Sequence, residues 1–203
     1  MDTNENTSDF LDETQSLLVI KEMIQVSKNK LKRDGILFIV WGWLLFYKSI
    51  LGYVERKFVL SFEIQKIMNY LGFVLLIASI GFTSYYLLKQ RKKVRTYIGI
   101  SLRYVWISLF VCMVLVNLIQ FNVLHSINFE LQHPIFMVLI AFAVTVTGGI
   151  LRYRLIIIGG VIFGILALAA SYLKLQEQLL VESVAWIISF IVPGHILYAN
   201  REK

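Results

Sequence analysis

Two groups of residues in this chain have types and spacings that could carry chemistry. The first is Lys48 with Glu182. Lys48 falls about six residues before the end of one long apolar run, roughly 9 Å deep at the helical rise. Glu182 falls about one turn inside the start of another, at a compatible depth. A charge within hydrocarbon is costly, so it is usually paired or set in a wet cavity. A Lys48–Glu182 pair, or one polar cavity lined by both, is one reading. The plainer alternative has Lys48 snorkelling outward alone and Glu182 in headgroup water. Arg103 is the third intramembrane charge, in the first turns of its run, within reach of the headgroups.

The second group is His125, Glu130 and His133, on one polar stretch. Imidazoles and a carboxylate are zinc or copper ligands, and two histidines are also a pH-sensing pair. Their spacing matches no standard metal site, and an ordinary polar loop is the plainer reading. No metal and no cofactor is expected. The chain holds no nucleotide-binding loop, no His-Glu-x-x-His zinc motif and no nucleophile elbow. It is not expected to be an enzyme.

The elements that position these residues are long apolar runs. Backbone polar groups cannot go unsatisfied in lipid, and the runs lack strand-like alternation, so they read as helices. Six spans are expected, at about 36–54, 67–88, 97–124, 134–151, 155–173 and 179–198, each near the ~20 residues that cross a bilayer. The run at 97–124 exceeds that need, so it tilts or projects. Residues 34–203 thus form one all-α transmembrane domain. Between the fourth and fifth runs only Arg152, Tyr153 and Arg154 are polar or amphipathic, with a Gly pair on either side, Gly148-Gly149 and Gly159-Gly160. This reads as a tight helical hairpin. Ala141, Thr145 and Gly149 are spaced by four, as are Gly160 and Gly164, the small-residue pattern that lets helix backbones approach. Pro193-Gly194, beside His195, is read as a distortion of the last span.

Composition supports this class. The chain has 203 residues and is 58% hydrophobic, with only two prolines; its mean hydropathy is +0.70. Soluble domains lie nearer 45–50% apolar. The net charge of +7 raises the question of nucleic acid, which the placement of the charges rejects. Fourteen Lys and Arg fall on one set of loops and ends, including the dense run from Lys89 to Arg95, against four (Arg56, Lys57, Lys66, Lys174) on the other. Basic loops stay cytoplasmic, so both termini are expected inside. The single cysteine, Cys112, has no disulfide partner within the chain. The acidic, polar first residues lack the basic start of a cleavable signal peptide.

Residues 1–33 form a separate cytoplasmic part, a polar tail followed by an amphipathic helix. Phe10, Leu17, Ile24 and Leu31 recur every seven residues, with Ile20 on the same seam. Such a stripe must be buried against membrane, protein body or partner. Its basic end, Lys28 to Arg33, suits anionic headgroups.

Phe38-Ile39-Val40-Trp41-Gly42-Trp43-Leu44, preceded by Lys21-Glu22-Met23-Ile24-Gln25, resembles a group of small uncharacterised bacterial multi-pass inner-membrane proteins. Gly148-Gly149-Ile150-Leu151, Ile157-Ile158-Gly159-Gly160 and Ile191-Val192-Pro193-Gly194 are similar too. The resemblance implies a multi-helix inner-membrane fold and brings no activity with it. The expected role is a non-enzymatic sensor, scaffold or partner subunit that acts through the N-terminal helix, with the lipid bilayer and a protein partner or second copy as neighbours. The alternative is a small transporter or channel with a polar site near Lys48 and Glu182.

Overall fold

The computed structural model describes Leu18 and residues 35–91 and 97–199. Every regular element among them is a helix. They are α1 (Gly35–Lys57), α2 (Phe62–Arg91), α3 (Tyr97–Leu124), α4 (Phe129–Leu151), α5 (Arg154–Ala170) and α6 (Leu175–Trp186). A π-helical turn (Ile187–Ile191) then leads without a break into α7 (Val192–Ala199). Five helical stretches are long and apolar enough to cross a membrane, the last being the continuous 175–199 segment. This is the build of a polytopic helical membrane protein. α5 is apolar but shorter, with 17 residues, about 26 Å at the helical rise.

Several boundaries differ from those expected. α1 runs on through Glu55, Arg56 and Lys57, which leaves only residues 58–61 as a loop. α4 starts at Phe129 instead of residue 134, because the Asn128 side chain accepts from the Leu131 N–H at 3.2 Å and caps the helix. Pro134 is absorbed in its second turn. α6 starts at Leu175, where the Lys174 N–H donates to Glu177 Oε2 at 3.1 Å. Glu182 is therefore two turns inside the helix instead of one. Residues Phe10, Leu17, Ile20, Ile24 and Leu31, expected to form the amphipathic stripe, lie outside the described residues, as do 92–96 and the tail from Asn200. Leu18, within that stretch, is exposed.

The core lies between α1, α4, α5 and the α6–α7 segment. Phe163, Ile156, Val144, Met137 and Ala185 are fully buried there. An aromatic chain runs across it. Trp106 of α3 meets Phe190 with centroids 6.3 Å apart, Phe190 meets Trp186 at 4.9 Å, and Trp186 meets Phe163 at 5.0 Å. Phe38 of α1 joins at Phe190, 5.3 Å away. Tilted and edge-on pairs at such spacings add to the energy of burial alone.

Close backbone approach sets the helix contacts. In the α4–α5 hairpin, Arg152 adopts φ 53°, and its N–H and that of Tyr153 bond the Gly149 and Gly148 carbonyls at 3.1 and 2.9 Å. A Cβ on Gly160 would lie 2.7 Å from Thr145 N and 3.0 Å from Ala141 O, and one on Gly164 would touch Ala141 Cβ. Gly149 faces open space, and it is Gly148 that abuts α5, at Ile157. The neighbouring Gly159 faces the other way, onto Ser189 of the π turn, whose Oγ donates to the Gly159 carbonyl at 2.6 Å. α1 runs antiparallel to the last segment: Gly35 meets Leu197, Gly42 meets Phe190 and Gly52 meets Leu179.

α2 and α3 are peripheral. α2 leans on α1 through Trp41 Nε1 donating to Thr83 Oγ1 at 3.0 Å and Tyr47 OH donating to the Met68 carbonyl at 2.9 Å. α3 packs on α4. Most of their apolar side chains are exposed, as suits lipid.

Candidate functional site

The polar side chains gather at one end of the bundle, where α3 ends and α4 and α6 begin. Glu182 faces α4. His133 Nδ1 lies 3.2 Å from its Oε2, and Trp186 Nε1 donates to its Oε1 at 3.2 Å. Both carboxylate oxygens are thus engaged, with the Glu182 and His133 side chains 14% and 28% exposed. Trp186 sits one helical turn below Glu182, so the local 3.6-residue repeat sets that contact.

Beside this pair, α3 and α4 share an amide network. Gln132 Nε2 donates to Asn117 Oδ1 at 2.5 Å, and Asn117 Nδ2 donates to the Met113 carbonyl at 2.9 Å. Gln120, one turn further along α3, is 6% exposed, and both its amide atoms are buried without a hydrogen-bond partner. A buried unpaired polar group forfeits about 1–3 kcal/mol.

Gln178 closes the site at the loops. Pro134 has no N–H, so the Glu130 carbonyl four residues back lacks its helical donor. Gln178 Nε2 donates to that carbonyl at 3.0 Å and to the Leu173 carbonyl at 2.9 Å. One side-chain amide thereby mends the start of α4 and holds the α5–α6 turn.

No protein-family model, curated protein or solved structure matches the chain. The site must be read from its own geometry.

The sequence-derived candidates are distributed as follows. Lys48 is exposed and lies over α2, with its Nζ 3.2 Å from where a Cβ on Gly72 would sit. Among the described residues the only ion pair is His133 with Glu182, so Lys48 and Glu182 are not brought together. They share a depth but belong to different contacts. His125, Glu130 and His133 do not converge either: no group of three or more His, Cys, Asp or Glu among the described residues could hold a metal. His125 terminates α3 in the left-handed conformation, φ 52°. Glu130 is exposed and contributes only its carbonyl. Arg103 is exposed on α3. His195 Nδ1 contacts the Ile191 carbonyl at 2.8 Å, so it binds its own helix.

Asn117, Gln120, Gln132, Gln178 and Trp186 carry the site without having been singled out in the sequence. One signal was available: Asn and Gln are uncommon in apolar spans, and each amide within hydrocarbon needs a partner.

Proposed function

We propose that this chain is a six-span protein of the bacterial inner membrane with both termini in the cytoplasm, allied to the small uncharacterised proteins it resembles. It acts as a non-enzymatic sensor or partner subunit, with its polar cluster as the input and its N-terminal amphipathic helix as the output. The observation that carries the reading is the closed state of Glu182. Its two oxygens are held by His133 and Trp186, which makes it a link between helices and leaves no free charge to line a path. Gly35, the first described residue of α1, is packed on Leu197 and Gly194 of α7, so the start of α1 is tied to the core.

The test is purification from native membranes of the full chain and of a Leu17→Ser/Ile24→Ser variant that keeps the membrane domain. A stoichiometric protein that accompanies the full chain, and is lost from the variant while membrane insertion is kept, is the expected result. A chain that arrives alone in both forms overturns the partner role.

The unpaired amide of Gln120 and the free Oε1 of Gln178 favour a second reading, a small transporter whose polar site is this cluster. Flux in vesicles that is abolished by Gln120→Leu would establish it.

A further inference from the structure

His133 and Glu182 form the one ion pair among the described residues, and it joins two helices at the loop end of the bundle. Imidazole is the side chain whose ordinary titration falls between pH 5 and 8. When neutral, His133 donates through Nδ1 to an ionised Glu182. When protonated it makes the same contact as an ion pair, and the pair becomes electrically neutral where water is scarce. The surroundings add little competition. α5 has no ionisable side chain beyond Arg154, and α3 offers only Tyr97, Arg103, Tyr104 and Cys112. On α4 the other ionisable group is Glu130 and on α6 it is Glu177, while α7 brings His195 and Tyr198. From α1 come Lys48, beside Gly72, and Tyr47, bonded to Met68, then Tyr53, Glu55, Arg56 and Lys57 towards its end. None of these is paired with His133 or Glu182.

The pair is also connected to the far end of the bundle. Glu182 holds Trp186, the residue immediately before the π turn. Trp186 and Phe190 stack edge-on, and Phe190 rests on Phe38 of α1. Beyond the turn, Gly194 and Leu197 touch Gly35 and Ile39. π turns inside α-helices are rare and occur frequently at functional sites.

We infer that His133 and Glu182 constitute a proton-binding site, whose occupancy is transmitted through Trp186 and the π turn to the start of α1. The site stands on its own geometry; the transmission rests on the sensor reading above.

The experiment uses the full chain in lipid nanodiscs, with tryptophan emission recorded between about pH 8 and about pH 5.5, the range of imidazole titration. The native protein should show a reversible emission shift that Trp186→Phe removes. His133→Gln and Glu182→Gln should abolish it, and His125→Gln and His195→Gln should retain it. A flat native response, or a native-like response in His133→Gln, overturns the site. Glu182→Gln keeps one acceptor oxygen and removes the charge; should it fail to fold, His133→Gln decides. Hydrogen exchange over residues 35–42 and 187–199, corrected for its intrinsic pH dependence, reads the transmission. Exchange that slows on acidification in the native chain and loses that response in His133→Gln is expected; an identical profile in both overturns the transmission. A stoichiometric partner without any pH response refutes the proton site alone, and a pH response without a partner refutes the partner reading alone.

Discussion

At the residue scale, three positions separate structural from chemical roles. Gln178 is the most consequential. Its replacement by Leu leaves the Glu130 and Leu173 carbonyls without their donor, and stability should fall by about 1–3 kcal/mol, measured by denaturation in mixed micelles. Pro134→Ala supplies the missing N–H, so in the Gln178→Leu background it should recover part of that loss. A double-mutant cycle that shows no coupling would contradict the link. His125 occupies a left-handed position normally suited to glycine. His125→Gly should therefore keep or raise stability, by up to about 1 kcal/mol, and leave any pH response intact. A large loss would give the imidazole a role beyond ending α3. Arg152 occupies the same conformation, and there the positive charge at a membrane-facing turn gives a reason to tolerate the strain.

At the element scale, adjacent glycines have different partners. Gly160→Ala would drive a Cβ into the Thr145 backbone and should separate α4 from α5, with a loss of about 2 kcal/mol or more, as for overpacked cores. Gly149→Ala meets nothing within 4 Å and should be neutral or stabilising by about 0.5–1 kcal/mol through helix propensity. Thermal unfolding of the two variants gives the comparison; equal effects would refute the hairpin packing. The same elements show what the sequence conveys. The long apolar runs and the tight 152–153 turn are visible in it, since hydrocarbon admits little else. Direction around each helix axis is not. A spacing of four picked out Gly149, whereas the face that meets α5 continues from Thr145 to Gly148, three residues on. Lys48 and Glu182 have matching depths, yet Leu179 turns towards α1 while Glu182 turns to α4. The sequence places His133 on the polar stretch before a span at about 134–151, whereas Asn128 caps α4 and carries His133 into the bundle.

At the scale of the whole molecule, orientation is the quantity to establish. Cys112 is the chain's one cysteine, and it is exposed on the outside of α3, where lipid would cover it. In intact cells it should resist a membrane-impermeant maleimide, because the reactive thiolate needs water. In a Cys112→Ala background, Ser126→Cys and Tyr172→Cys should label from outside, and Arg154→Cys only after the membrane is opened. The reverse pattern would place both termini outside. The peripheral position of α2 and α3 makes the core a smaller unit of α1, α4, α5 and the last segment, so substitutions on the outer faces of α2 should affect stability least.

The Pro134–Gln178 arrangement also has a bearing on biosynthesis. The hairpin of α4 and α5 contains its own contacts and can close as soon as both helices have left the ribosome and entered the bilayer. Its first turns cannot be completed then, because the donor for the Glu130 carbonyl is encoded 48 residues downstream. Until Gln178 is in place, that carbonyl needs another donor or stays unpaired. The last segment supplies that donor, so a chain that stops short of Gln178 would carry an open backbone acceptor at the start of α4.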